Sequence, residues 1–153
     1  MTVEKILKIF EEGYKGEEKE FNVFTSETKL FTNDSNAFAC EEVEQPCVAL
    51  VEMTIPKKRI KNCDLVQQEK VKIVAMINGY DELQDYHCVT IGEFLNYLKH
   101  IEDKQQYVCI VDYFDLSDGE VHIVTGVVDA KKSYCKNRKL RKNFGDDALQ
   151  FQY

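Results

Sequence analysis

The residues best able to do covalent chemistry are six cysteines, Cys40, Cys47, Cys63, Cys88, Cys109 and Cys135, with His87 directly before one of them. A nucleophilic thiol needs a base within hydrogen-bond reach. Neighbours on an extended strand point to opposite faces, so His87 and Cys88 cannot serve one another. Cys47 in "CVAL" and Cys109 in "YVCIV" lie in apolar runs, where a thiol acts as a small core side chain. His122 and Cys109 could meet across a hairpin whose register the sequence leaves open. Zinc asks for ligand pairs a few residues apart. The cysteines are spaced by 7, 16, 25, 21 and 26 residues, so no metal is expected, and no cofactor motif is present.

The carboxylates give no clearer constellation. Asp112 continues the alternation Val108, Ile110, Asp112 on one strand face. An acid there needs a partner or an exposed edge, or else carries a raised pKa and a catalytic role. "DLSDGE" (115–120) is too short for a calcium loop. It reads as a hairpin turn in which Ser-Asp-Gly supplies a positive φ. Phosphate-binding glycine loops, nucleophile elbows and zincin helices are absent. The chain has reactive residues without an arrangement, and the reading leans away from an enzyme.

Charge is the positive signal. The 153 residues carry 20 basic and 27 acidic side chains, a net −7. "KKSYCKNRKLRK" (131–142) nevertheless holds seven cations: Lys131, Lys132, Lys136, Arg138, Lys139, Arg141 and Lys142. Taking those seven from the 20 leaves 13 against 27 acids, so the rest of the chain stands at −14. Glu11, Glu12, Glu17 and Glu18, with Glu41, Glu42 and Glu44, form its acidic clusters and are the candidate contacts for a basic partner protein. The block itself is weakly amphipathic and is not expected to form a core helix. Either it lies on the acidic body or it is a free arm that grips phosphates. A second basic tract, "PKKRIK" (56–61), joins it in the nucleic-acid reading.

These candidates need elements to hold them. Val3, Ile6, Leu7 and Phe10 recur at helical spacing, as do Ile91, Phe94, Leu95, Leu98 and Ile101. Thr90 and Glu93 make a capping box before the second set. If that helix buries its face, Leu95→Ala is expected to cost about 2–5 kcal/mol. Strands are predicted over 20–26, 47–55 and 69–77, and a hairpin joins 106–114 to 120–128. Residues 2–11 and 90–99 share T-[VI]-x-x-[IF]-L-x-x-[FL]. The expected fold is therefore a single α+β domain over 1–153: one mixed, mainly antiparallel sheet packed with two amphipathic helices. Two versions are open: a duplicated helix-plus-meander unit with halves 1–89 and 90–153, or one sheet with unrelated helices.

No membrane-length apolar run and no export signal appear, and cysteines are too few for a disulfide scaffold, so reduced thiols and a cytoplasmic location are expected. Over residues 90–128, a helix opening on T-[VI]-x-E and followed by a hairpin resembles small phage and mobile-element proteins; that implies a host-cytoplasm setting and fixes no residue's role. The expectation is an acidic inhibitor or adaptor that docks on a basic, nucleic-acid-handling protein. The alternative is a small nucleic-acid-binding or nuclease-type protein using 57–61 and 131–142. Partner identity and oligomeric state are not legible.

Overall fold

Thr2 and Thr90 open the two helices that the apolar spacing predicts. Thr2 Oγ1 accepts the Lys5 N–H at 3.3 Å, and α1 runs Val3–Gly13. Thr90 Oγ1 accepts the Glu93 N–H at 3.3 Å and Glu93 accepts the Thr90 N–H at 2.8 Å; α2 follows at Ile91–His100. α1 buries Val3, Ile6 and Phe10, and α2 buries Ile91, Phe94 and Leu98, the narrow face that 3.6-residue periodicity gives. Leu95 lies at its margin and is only partly buried.

Glu93 also approaches His87 Nε2 at 2.8 Å. The Thr90 N–H first, then His87, hold the Glu93 carboxyl below its usual range. A carboxyl whose pKa is depressed by folding adds stability above its unfolded pKa and loses it as pH falls through the folded value. Acidification is therefore expected to release the α2 cap. In an NMR titration the Thr90 amide should follow a midpoint below the ordinary Glu value of about 4.3. A midpoint at or above that value would contradict the cap.

The structure, a computed structural model, describes residues 1–14, 16–32, 38–61, 68–79, 86–129 and 137–153, and the side chains of all of these except 17, 28–32 and 38–43. Among the described residues the strands are β1 (Asn22–Thr32), β2 (Phe38–Pro56), β3 (Ile60–Lys61), β4 (Lys70–Asn78), β5 (Tyr107–Asp112), β6 (Val121–Ile123), β7 (Gly126–Asp129) and β8 (Ala148–Gln152), and a third helix, α3, spans Arg138–Phe144. The strands form one mixed sheet in the order β3-β6-β5-β4-β2-β1-β8-β7. β1–β2, β2–β4, β5–β6 and β7–β8 are antiparallel, and β1–β8, β4–β5 and β3–β6 are parallel. The α+β class and the mixed sheet are as expected. Only Val124 and Thr125 separate β6 beside β5 from β7 beside β8, so the chain itself links the two sides of the order.

The two helix units interlock reciprocally. Val3 N–H bonds to Gln106 O and Val108 N–H to Met1 O, both at 2.9 Å. Ile91 N–H bonds to Phe21 O and Val23 N–H to Val89 O, both at 2.8 Å. Each helix thus begins against the strand that follows the other helix. The registers obey the same equivalence: Phe24↔Pro46 matches Cys109↔Ile123, and Phe24↔Gln150 matches Ala75↔Cys109. Position 24 in one half stands where 109 stands in the other, 44 where 121 stands, and 150 where 75 stands.

One sheet face meets both helices through Val23, Val74, Met76, Val108, Ile110, Leu149 and Phe151. The opposite face of β4 and β5 buries Ile73, Ala75, Ile77, Cys109 and Val111. β4 is accordingly apolar on both sides, as a strand covered on two faces must be.

Candidate interaction surfaces

The equivalence between the halves exposes a chemical difference. At 121, 75 and 111 the second face carries Val, Ala and Val; at the matching positions 44, 150 and 26 it carries Glu, Gln and Ser. All six are buried. Glu44 Oε1 accepts from Arg141 Nη2 at 2.8 Å and from Gln150 Nε2 at 2.6 Å, and Glu44 Oε2 accepts the Asn137 N–H at 3.3 Å. The Arg141 guanidinium also lies 5.2 Å from the centre of the Phe24 ring. Ser26 Oγ is buried and finds no hydrogen-bond partner among the described residues. A charge in such a place is tolerated only when paired and hydrogen-bonded.

This pair fixes part of the basic block. Asn137 caps α3, its side chain accepting from the Lys139 and Leu140 N–H groups, and Gly145 ends it at φ 83°, a left-handed conformation that favours glycine. Leu140 is fully buried with Phe24, Cys88 and Ala148. The expectation that the block contains no core helix is corrected here: one apolar side chain and one buried cation suffice to dock seven residues. Asn137 and Gly145 were readable start and stop signals; the Glu44–Arg141 contact, 97 residues apart, was not. Arg138, Lys139 and Lys142 are exposed. Lys131, Lys132 and Lys136 lie outside the described residues.

The acidic candidates scatter. Glu11 and Glu12 are exposed on α1, with Glu12 3.8 Å from Lys8. Glu17 and Glu18 fall in a 3₁₀ turn, Glu17–Glu20. Glu18 and Glu11 border an apolar groove of about 220 Å³ between α1 and α2, floored by Leu7, Phe10, Ile91 and Leu95. Glu41 and Glu42 pair with Lys29 and Thr28 across β1–β2; their side chains, like that of Glu17, lie outside the description. Glu44, being buried, presents no surface to a partner.

The β5–β6 connection is the opposite case. Asp112 ends β5 and its carboxylate accepts the Phe114 N–H at 3.0 Å. It caps the short 3₁₀ turn Tyr113–Asp115 rather than lining the core. Arg59 reaches over from the turn Lys57–Arg59 and clamps this loop. Its Nε donates to Gly119 O at 2.8 Å, its Nη2 to Asp115 O at 2.7 Å, and both Nη atoms to Leu116 O at 3.3 Å. Gly119 is required by close approach: a Cβ there would lie 2.0 Å from Asp115 Cβ. A positive φ, expected from Ser-Asp-Gly, is not its role. Lys61 fixes the far end through Glu120 at 2.7 Å. The loop so held leaves Tyr113 45% and Phe114 71% exposed, their rings edge to face at 5.7 Å.

The candidate catalytic thiols are not assembled. Cys109 stands opposite Ile123 while His122 stands opposite Ile110, so they point to different faces. Cys47, Cys88 and Cys109 are buried thiols outside any disulfide. Burial raises the thiol pKa of Cys47 strongly and pushes that of Cys88 up to about 12. Because the thiolate is the nucleophile, neither is expected to react with iodoacetamide at pH 8 until the chain unfolds. Labelling of either at the rate of a free thiol in folded protein would contradict that burial. Among the described residues no group of three or more His, Cys, Asp or Glu could hold a metal ion, and no helix is long and apolar enough to cross a membrane.

No protein-family model matches the chain, and neither the curated proteins nor the solved structures contain a match.

Proposed function

We propose that the chain is a non-enzymatic protein-interaction module, an inhibitor or adaptor of the phage or mobile-element kind, that docks on a basic, nucleic-acid-handling protein in its host's cytoplasm. The observation that carries this reading is the direction in which the cations face. The chain has three arginines, the residues best suited to phosphate. Arg141 is engaged by buried Glu44, and Arg59 donates to three backbone carbonyls. The acids Glu11, Glu12, Asp115 and Asp118 lie at or near the surface. A body of −14 outside the basic block favours cationic protein over nucleic acid.

Exposed Arg138, Lys139 and Lys142 on α3 favour the second reading, direct binding of nucleic acid. Capture from a nuclease-treated host lysate, eluted by salt and identified by mass, separates the two. The first reading expects a basic protein that is released when oligonucleotide is added as competitor. Retention that depends on nucleic acid supports the second.

A further inference from the structure

We infer that the loop 112–120 is the contact tip of this module, and that it enters an apolar pocket rimmed by lysine or arginine on the partner; the inference rests on the protein-interaction reading above. Three observations converge. First, an antiparallel hairpin can close in two residues, whereas this one spends eight between Asp112 and Val121. Second, the Arg59 hydrogen bonds tie those residues to the neighbouring turn, with the Asp112 cap and the exposed Lys61–Glu120 pair at the loop's two ends. That holding nevertheless leaves the aromatics outward: Phe114 is the most exposed large apolar side chain among the described residues. A preset aromatic loses little freedom on binding, which is the property of an interface anchor. Third, the anchor stands among carboxylates. Asp118 is exposed and Asp115 partly so, and no basic residue occurs between Asp112 and Glu120. Arg59 and Lys61, the cations that hold the loop, are engaged by its carbonyls and by Glu120. Burying Phe114 therefore brings Asp115 and Asp118 against the rim of the receiving pocket, and charge complementarity favours a cationic rim.

The chemistry is testable with a defined host. β-Cyclodextrin offers an apolar cavity, and its heptakis(6-amino) form adds a ring of ammonium groups. In NMR titrations at low salt, the amino form is expected to shift Tyr113 and Phe114 resonances and to bind more tightly than neutral β-cyclodextrin. Asp115→Asn with Asp118→Asn should remove that preference, and Phe114→Ser should remove binding to both. Equal affinity for the two hosts, or shifts that survive Phe114→Ser, would overturn the tip. For a captured host protein, Phe114→Ser should weaken affinity about 30-fold, the size of a hot-spot anchor, with the melting temperature unchanged. Arg59→Lys, which keeps charge but loses the fork, should weaken it less. A host protein bound equally by wild type and Phe114→Ser would overturn the tip and leave the module reading standing. If no protein is retained at all, both fall together.

Discussion

Arg141→Met is expected to destabilise the fold by about 3–5 kcal/mol, because it leaves Glu44 as an uncompensated buried charge. The side chains of Arg141 and Glu44 are 9% and 0% exposed, so water cannot replace the lost partner. Arg138 sits three residues earlier and is exposed; Arg138→Gln should stay within about 0.5 kcal/mol of wild type. The double change Glu44→Leu with Arg141→Met removes both charges and should recover most of the loss, since a buried pair is worth little more than apolar residues of its volume. The twin half already shows the apolar solution, with Val121 at the position matching Glu44. Urea unfolding midpoints at constant m-value give all three numbers. Equal midpoints for Arg141→Met and Arg138→Gln would show that the basic helix is not anchored by this pair.

Phe94→Ala is the second large effect, expected at about 3–5 kcal/mol. Phe94 is fully buried and meets the edge of Phe151 at 4.8 Å between ring centres. That contact ties α2 to β8, so the substitution opens a cavity between the capped helix and the last strand. Leu98→Ala, also fully buried, should cost about 2–5 kcal/mol. Leu95→Ala should cost less than either, because Leu95 is only partly buried. A Leu95→Ala variant less stable than Phe94→Ala would reverse the face of α2.

α1 and α2 were legible because each carries an apolar period, and α2 a capping box as well, signals that local chemistry alone enforces. β4 was legible as a strand over 69–77, but not its burial on both faces, which depends on what packs over Ile73, Ala75 and Ile77. β8 was not. "ALQFQ" alternates Leu149 and Phe151 with Gln150 and Gln152, a strand pattern only five residues long, and that pattern implies an exposed Gln150 where the fold buries it. Gln150 is buried because Glu44 accepts its amide, and Glu44 is buried because Arg141 pairs with it. That circle of dependence closes over 106 residues, beyond any local pattern. The acidic clusters illustrate the same limit: Glu11 and Glu12 are exposed as their helix positions imply, whereas Glu44, one of the same apparent set, points inward. Tyr113 and Phe114 were read as the end of the strand 106–114, and only 115–120 as turn, because nothing local reveals that Arg59 would hold a longer loop with these rings outward.

Direct binding of nucleic acid is the measurement that bears most closely on the central claim. Fluorescence anisotropy of labelled single-stranded and duplex oligonucleotides, at low ionic strength where phosphate contacts are strongest, should show no binding by the intact protein. The same oligonucleotides should displace it from its captured partner. Saturable binding whose log–log salt slope flattens when Lys136, Arg138, Lys139 and Lys142 are changed to Gln, with Arg141 left in place, would contradict the account and make the basic block a phosphate-gripping arm.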